Sequence, residues 1–252
     1  MSKTMIVTGA SRGIGAAVAT VAAAKYVSLV LNARSQDALN GLARSLGVDT
    51  TRIVVIAGDV SDEEVCDRIV RAAIERFGGI DVVVNNAGIL EPIGALDTVT
   101  ADEWVRNLMV NVAGPVLLSR RAVQFLRARH GCIINISSGA AVKAVRGWSA
   151  YCTSKAALNH FNRMLAAEYP EITAIAVSPG MTATDMQVMV REQGEGRMPR
   201  EEHQRFVDAH RGGELRSPDA VARIIVALGL SAPRDMSGEF VTVDDPRVRS
   251  LL

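Results

Sequence analysis

Short aliphatic, β-branched runs alternate along this chain with longer segments whose apolar positions recur every three to four residues. Thr4–Thr8, Ser28–Asn32, Arg52–Ile56, Asp81–Val84, Gly131–Ser137, Ile172–Ser178 and Phe240–Val243 read as strands. The helical period runs through Ile14–Lys25, Gln36–Ser45, a segment from Ser61 or Asp62 to Phe77, Ala101–Arg129, Ala150–Tyr169, and a segment from Ser217 or Pro218 to Leu230. Ser61 or Asp62 suits an N-cap, and Gly78-Gly79 stops the helix that follows. Strands that are apolar almost throughout, alternating with helices, predict a parallel sheet covered on both faces. Right-handed crossovers wind such a sheet into a doubly wound α/β fold. No linker or low-complexity stretch interrupts the sequence, so one domain over residues 1–252 is expected. The alternation lapses over 181–216, a stretch rich in charge and glycine (Gly194, Gly196, Gly212, Gly213). It follows the carboxyl end of a strand, where ligand loops belong, and reads as an irregular substrate lid.

Composition narrows the partners. A net charge of +1 offers no electrostatic case for nucleic acid or an anionic membrane, and 4% aromatic residues leave little for base stacking. No apolar run reaches the ~18 residues of a membrane span. Met1-Ser2-Lys3-Thr4 runs straight into a strand, with no signal-peptide core, and Cys66, Cys132 and Cys152 fall in no CxxC or zinc spacing. A cytoplasmic location is expected. His130, His160, His203 and His210 lack metal-ligand spacing, so no metal is expected, and Ser178-Pro179 lacks a GxSxG elbow, which argues against a hydrolase.

The chemistry centres on Tyr151 and Lys155, four residues apart and therefore on one helix face. A free tyrosine titrates near ~10 and is a poor acid or base at neutral pH. A cation about 4 Å away, at an effective dielectric of about 20, is worth ~4 kcal/mol, or about three pK units. Lys155 is thus expected to draw Tyr151 into the range of a general acid.

Upstream, Gly9-Ala10-Ser11-Arg12-Gly13-Ile14-Gly15 joins the first strand to the first helix. Glycines there let the backbone approach a pyrophosphate, and the helix N-terminus offers it unpaired N–H groups. An NAD site would carry an acid at the end of the second strand. This chain has Asn32-Ala33-Arg34 instead. Arg34 and Arg12 are placed to embrace a 2′-phosphate, which predicts NADP(H). Two charge-assisted bonds of about 1.5–3 kcal/mol each favour NADPH over NADH by roughly 10²–10⁴-fold. Asp59-Val60 is placed to meet the adenine, and Asn86-Ala87-Gly88 lies where a cofactor crosses the strand ends.

Thr8-Gly9-x-x-x-Gly13-Ile14-Gly15, Asn85-Asn86-Ala87-Gly88, Asn111, Ile136-Ser137-Ser138, Tyr151-x-x-x-Lys155 and Pro179-Gly180 together resemble the short-chain dehydrogenase/reductases over almost the whole chain. That resemblance implies a Rossmann-type sheet of seven parallel strands, NAD(P)(H)-dependent carbonyl chemistry and homo-oligomers, commonly dimers with a four-helix interface. It implies that Ser138, rather than the adjacent Ser137, holds the substrate oxygen. Tyr151 would be the proton donor, Lys155 would bind the nicotinamide ribose, and Asn111 would hold a proton-relay water. Pro179, Gly180 and Thr184, with Thr182 as a second possibility, resemble the segment that contacts the nicotinamide.

A closer likeness is to the sepiapterin and benzil reductase branch and its fungal relatives. It rests on Arg146-Gly147-Trp148, Thr184-Asp185-Met186-Gln187 and the tail around Asp244-Asp245. It implies an NADPH-dependent reductase of a flat or aromatic ketone, with Trp148, Met181, Met186 and Gln187 lining the pocket. Asp245, or the neighbouring Asp244, would anchor the substrate as the C-terminal aspartate of sepiapterin reductase anchors a pterin. The rivals are a 3-oxoacyl-carrier-protein or hydroxysteroid-type reductase, and a non-catalytic NADP(H)-binding sensor. A sensor would be expected to lack Tyr151, Lys155 or Ser138, and all three are present.

Overall fold

Seven strands, every neighbouring pair parallel, form one sheet: β1 (Thr4–Thr8), β2 (Ser28–Ala33), β3 (Ile53–Ala57), β4 (Val82–Asn85), β5 (Cys132–Ile136), β6 (Thr173–Ser178) and β7 (Phe240–Thr242). The computed structural model describes residues 2–252. The order β3-β2-β1-β4-β5-β6-β7 puts the reversal of winding between β1 and β4, where doubly wound folds bind ligands.

Side-chain alternation splits the core into two layers. Met5, Val7, Leu29 and Leu31 pack under α1 (Gly13–Ala24) and α9 (Pro218–Ser231). Ile6, Val30, Val83 and Ile133 pack under α3 (Glu63–Phe77), α5 (Gly114–Arg129) and α6 (Ser149–Glu168). Local chemistry sets the ends of α3. The Asp62 carboxylate accepts from the Glu64 N–H at 2.9 Å, and Gly78 stops the helix at φ 73°. The remaining long-range helices are α2 (Gln36–Ser45) and α4 (Ala101–Leu108), the latter opened by a Thr100/Glu103 capping box. Among the described residues no helix is long and apolar enough to cross a membrane.

The helix expected over Ala101–Arg129 is not uniform. A π turn, Met109–Ala113, separates α4 from α5. Pro115 explains it, because it lacks the N–H that an α-helix would deliver to the carbonyl of Asn111. The expectation of an irregular lid is also corrected. Residues 181–216 contain α7 (Asp185–Gln193) and α8 (Arg200–Arg211), the latter burying Phe206 and Ala209 beneath a charged outer face. The two ends of this segment are hydrogen-bonded to each other. Ala183 N donates to Arg216 O, and Arg216 N to Met181 O, each at 2.9 Å. A short helix, α10 (Pro246–Arg249), follows β7. Asp81, expected in the fourth strand, precedes β4 and accepts instead from Thr4 N at 2.8 Å and from Arg129 at 2.9 Å.

A row of buried amides ties the sheet to its helices. Asn85 donates to Ser119 at 3.3 Å and to Asn135 at 2.9 Å, and Asn135 donates to Asn162 at 3.0 Å. Asn162 in turn donates to the carbonyls of Ala174 and Glu239, each at 3.2 Å. Full satisfaction lets such a row fix one register of helix on sheet.

Candidate active site

A cavity of about 520 Å³ opens over the carboxyl ends of β1, β2 and β4. Gly9, Ser11, Arg12, Gly13 and Ile14 line its floor, with Asn32, Arg34, Asp59 and Val60 at one end and Tyr151 and Lys155 at the other. Asn86, Ala87, Gly88, Pro179, Thr184 and Met186 form part of the wall, as do Ile136 and Ser137. Gly180 and Thr182 flank that wall without forming its surface, and the Thr182 hydroxyl donates to the carbonyls of Pro179 and Gly180 at 3.3 Å.

The floor is shaped for close backbone approach. A Cβ on Gly15 would lie 2.3 Å from the Gly9 carbonyl oxygen, and one on Gly9, at φ 63°, would lie 2.8 Å from Ala87 Cα. Thr8 and Asn86 lock the turns after β1 and β4 together. The Thr8 hydroxyl accepts from the Asn86 and Ala87 N–H groups at 3.0 Å, and Asn86 Nδ2 donates to the Thr8 carbonyl at 2.8 Å. Asn86 is therefore a brace for the cleft. Asn32 donates to the Ile56 and Gly58 carbonyls at 2.9 and 3.1 Å, which leaves its buried Oδ1 without a partner beside the cleft. An extended, glycine-floored cleft with an orphaned acceptor fits a dinucleotide.

At the adenosine end the two arginines differ. Arg34 is exposed at the rim, whereas Arg12 Nη1 lies 2.8 Å from Asp185 Oδ2 of α7. The Asp59 carboxylate accepts from Ser61 N and Oγ at 2.9 and 2.7 Å and is ion-paired with Arg106. Burial pushes its pKa up, but the bonds from Ser61 and Arg106 outweigh burial and hold it below the ordinary carboxylate value.

At the opposite end, Tyr151 and Lys155 occupy adjacent turns of α6, both buried. Lys155 Nζ donates to the Ile136 carbonyl at 2.8 Å and sits 5.6 Å from the Tyr151 ring centre. The Ser138 hydroxyl, which accepts from Ala140 N at 3.1 Å, faces that of Tyr151. The expected lowering of the Tyr151 pKa by Lys155 is corrected here. Burial pushes Tyr151 up to about 12, only partly countered by the bond from Ser138, and pushes Lys155 down to about 8. Both charged forms lose hydration in this corner, and that loss is the leading cause of each shift. Tyr151 is therefore held as a neutral O–H donor at neutral pH.

Asn111 lies in the π turn. Its Oδ1 accepts from Ile89 N at 2.9 Å, and its Nδ2 donates to Ile89 O, Asn107 and Ser154 at 2.8, 2.9 and 3.1 Å. A Cβ on Gly88 would lie 3.1 Å from Asn111 Oδ1 and 3.6 Å from Lys155 Nζ, so these two groups converge over Gly88. The structure also places Ser137: it lines the cavity, but its hydroxyl is taken by Asn159 at 2.6 Å, which leaves Ser138 as the serine with a hydroxyl facing Tyr151.

The substrate side is an apolar cluster around Tyr151, including Leu90, Trp148, Val190, Met198 and Phe206, with Met181 and Met186 packed against it. The Trp148 ring stacks on Phe206 at 4.9 Å and meets the Tyr151 ring edge-on at 5.7 Å. Trp148 Nε1 and Gln187 Oε1 are buried without hydrogen-bond partners. Sequence reasoning missed Phe206, whose only signal was the spacing Phe206/Ala209 within a charged stretch. Asp245 is not brought to this site. It caps α10 by accepting from Arg247 N at 2.9 Å and pairs with the Arg247 guanidinium at 2.9 Å. Asp244 pairs with Arg216 at 2.5 Å and Arg249 at 2.6 Å. Both carboxylates are engaged by arginines, and neither lines the cavity. No group of three or more metal-binding side chains occurs among the described residues.

Residues 3–195 match the family profile described as short chain dehydrogenase. The chain is 33% identical over 256 residues to the Saccharomyces cerevisiae oxidoreductase YIR035C, covering 100% of both. The crystal structure of that protein superposes with a TM-score of 0.95 at 32% identity, over 100% of each chain. It is 33% identical over 260 residues to the (S)-benzoin-forming benzil reductase IRC24 of Saccharomyces cerevisiae, covering 98% of each. L-sorbose reductase from Gluconobacter frateurii, solved with NADPH and L-sorbose, superposes with a TM-score of 0.84 at 29% identity, over 98% of this chain and 97% of that one.

Proposed function

This chain belongs to the short-chain dehydrogenase family, and within that family of oxidoreductases we propose that it is an NADPH-dependent reductase of a small flat or aromatic ketone or diketone. The observation that carries the reading is the meeting of Tyr151 and Lys155 at one end of a dinucleotide-shaped cleft, with Ser138 beside Tyr151 and an apolar wall around it. Similarity to a benzil reductase supports the diketone class, and Arg12 and Arg34 at the adenosine rim support NADPH.

Bound there, the reduced nicotinamide supplies a hydride to the carbonyl carbon. The Ser138 and Tyr151 hydroxyls bind the carbonyl oxygen from two directions, a clamp that strengthens as negative charge develops. Tyr151, neutral at the start, donates its proton to that oxygen as the alcohol forms. The nearby Lys155 ammonium stabilises the resulting phenolate. Asn111 stands beside Lys155 over Gly88, placed to order a water that returns the proton. The apolar cluster around Trp148 and Phe206 excludes other water from the reacting atoms. Assembly as a homodimer through the face of α4 and α6 accounts for exposed Val105 (53%), Met109 (39%) and Met164 (41%). Three free cysteines suit the cytoplasm.

The test is NADPH oxidation, followed at the nicotinamide absorbance, against benzil-type diketones, sepiapterin, a 3-oxoacyl thioester and a steroid ketone. NADH and the Tyr151→Phe variant run in parallel. Turnover of the diketone with NADPH, lost in Tyr151→Phe without loss of NADPH binding, is the expected result. Tight NADPH binding with no turnover of any carbonyl would replace the enzyme by the sensor reading.

A further inference from the structure

Four consecutive residues at the carboxyl end of β5 reach the same stripe of α6. Asn135 Nδ2 donates to Asn162 at 3.0 Å, and the Ile136 carbonyl accepts from Lys155 Nζ at 2.8 Å. Ser137 Oγ donates to Asn159 Oδ1 at 2.6 Å, and the Ser138 hydroxyl faces that of Tyr151. On the helix these partners fall at 151, 155, 159 and 162, spacings of four, four and three that keep them on one face. Two of the four rungs hold the groups assigned to proton transfer. A third, Asn135–Asn162, belongs to the amide row that crosses the sheet. The Ser137–Asn159 rung belongs to neither set.

We propose that Ser137 and Asn159 are a positioning pair that fixes the register of α6 on β5, and with it the reach of Tyr151 and Lys155 to their partners. Ser137 stands between the residue whose carbonyl holds Lys155 and the serine that faces Tyr151, so a shift at Ser137 moves both. Both side chains are buried (2% and 6% exposed), and among the described residues neither makes another side-chain hydrogen bond. The rung is short and sits one helical turn beyond Lys155. Without it, the hydrogen bonds from that part of α6 to β5 are the Lys155 and Asn162 bonds on either side. Catalysis of this type loses about 100-fold when a reacting group is misplaced by about 1 Å.

The inference rests on Ser138 and Tyr151 being the proposed acid–base pair, and its test includes a signal that does not need turnover. Ser137→Ala, Asn159→Ala and the double variant are compared with the parent for kcat, KM and NADPH affinity. The Tyr151 ring carbon is followed by 13C NMR of tyrosine-labelled protein, where only three tyrosines report and Tyr151→Phe assigns the signal. Each single variant is expected to lose about 10- to 100-fold in kcat, with the double variant no worse than either single. NADPH affinity stays within about twofold. All three variants displace the Tyr151 resonance alike, and Ser137→Thr, which keeps the hydroxyl, restores part of kcat. An unmoved Tyr151 resonance overturns the proposal whether or not the parent turns over a carbonyl. So do multiplying losses in the double variant, or a rise in KM confined to Ser137→Ala, which would mean that Ser137 touches substrate itself. A parent that binds NADPH without turnover removes the reductase reading and leaves the NMR comparison to decide the pair.

Discussion

Lys155→Met is expected to gain stability that depends on pH. Burial takes the Lys155 ammonium from an ordinary 10.5 down to about 8. At about 1.4 kcal/mol per pK unit, holding that charge in the fold near pH 7 costs about 3 kcal/mol relative to the unfolded chain. The folded pKa lies below the unfolded one. Between pH 8 and 10.5, therefore, the unfolded chain keeps a proton that the folded protein has released. The stability of the parent gains from Lys155 across that window, and the gain is complete above it. Met has nothing to titrate. The lost bond to the Ile136 carbonyl, worth about 1 kcal/mol, offsets the variant by a similar amount at every pH. Cys66 and Cys132, raised from 9.0 to about 12, and Tyr151, raised from 10.0 to about 12, work in the opposite sense. They lower stability as pH rises, in parent and variant alike, so the difference between the two proteins isolates Lys155. Urea unfolding followed by tryptophan fluorescence near pH 7, 9 and 11 provides the measurement. The variant's stability relative to the parent should fall by about 3 kcal/mol from the first pH to the last. A difference that stays flat would show that Lys155 titrates as a solvated lysine and that desolvation does not govern this corner.

Three further outcomes follow from the site. Arg34→Ala should weaken NADPH binding by about 10- to 100-fold and leave NADH unchanged; equal losses for both cofactors, measured by nicotinamide fluorescence, would remove the arginine from 2′-phosphate recognition. Phe206→Ala takes away the ring stacked on Trp148 and should raise KM for an aromatic diketone by about tenfold, with kcat less affected; an unchanged KM would make α8 a cover without selectivity. Asp245→Ala should lower the melting temperature slightly through the lost cap of α10 and leave substrate KM alone, whereas a KM for sepiapterin raised about tenfold would restore the pterin anchor.

The sheet was legible because its strands are apolar on both faces, so burial speaks through each of them without knowledge of its neighbours. Asp62 and Gly78 were legible for a different reason: caps act within a turn of the backbone they satisfy. Tyr151, Lys155 and Ser138 could be named from spacing and resemblance together, and the fold brings them to one place. Their electrostatics were not readable, because the desolvation of Tyr151 and Lys155 comes from residues distant in sequence, such as Leu90 and Phe206. The π turn carried a signal in Gly114-Pro115 that helical periodicity alone overrides. The lid helices hid behind charge, since α8 buries only Phe206 and Ala209. The pairing of Asp244 with Arg216 was not legible, because that arginine lies 28 residues away along the chain.

The hydrogen-bonded ends of segment 181–216 make that segment an exchangeable cassette. Thr182 and Arg216 form an isolated parallel bridge, so the segment leaves the body of the fold after β6 and rejoins it before α9 at nearly one point. What lies between can lengthen, shorten or be traded for another pair of helices while β6 and α9 keep their places. The scaffold under the cleft and the pair of helices beyond it are then separable parts of one chain. Grafting the insert of a relative between Met181 and Arg216 is a route to moving substrate range from one protein to another in a single cut.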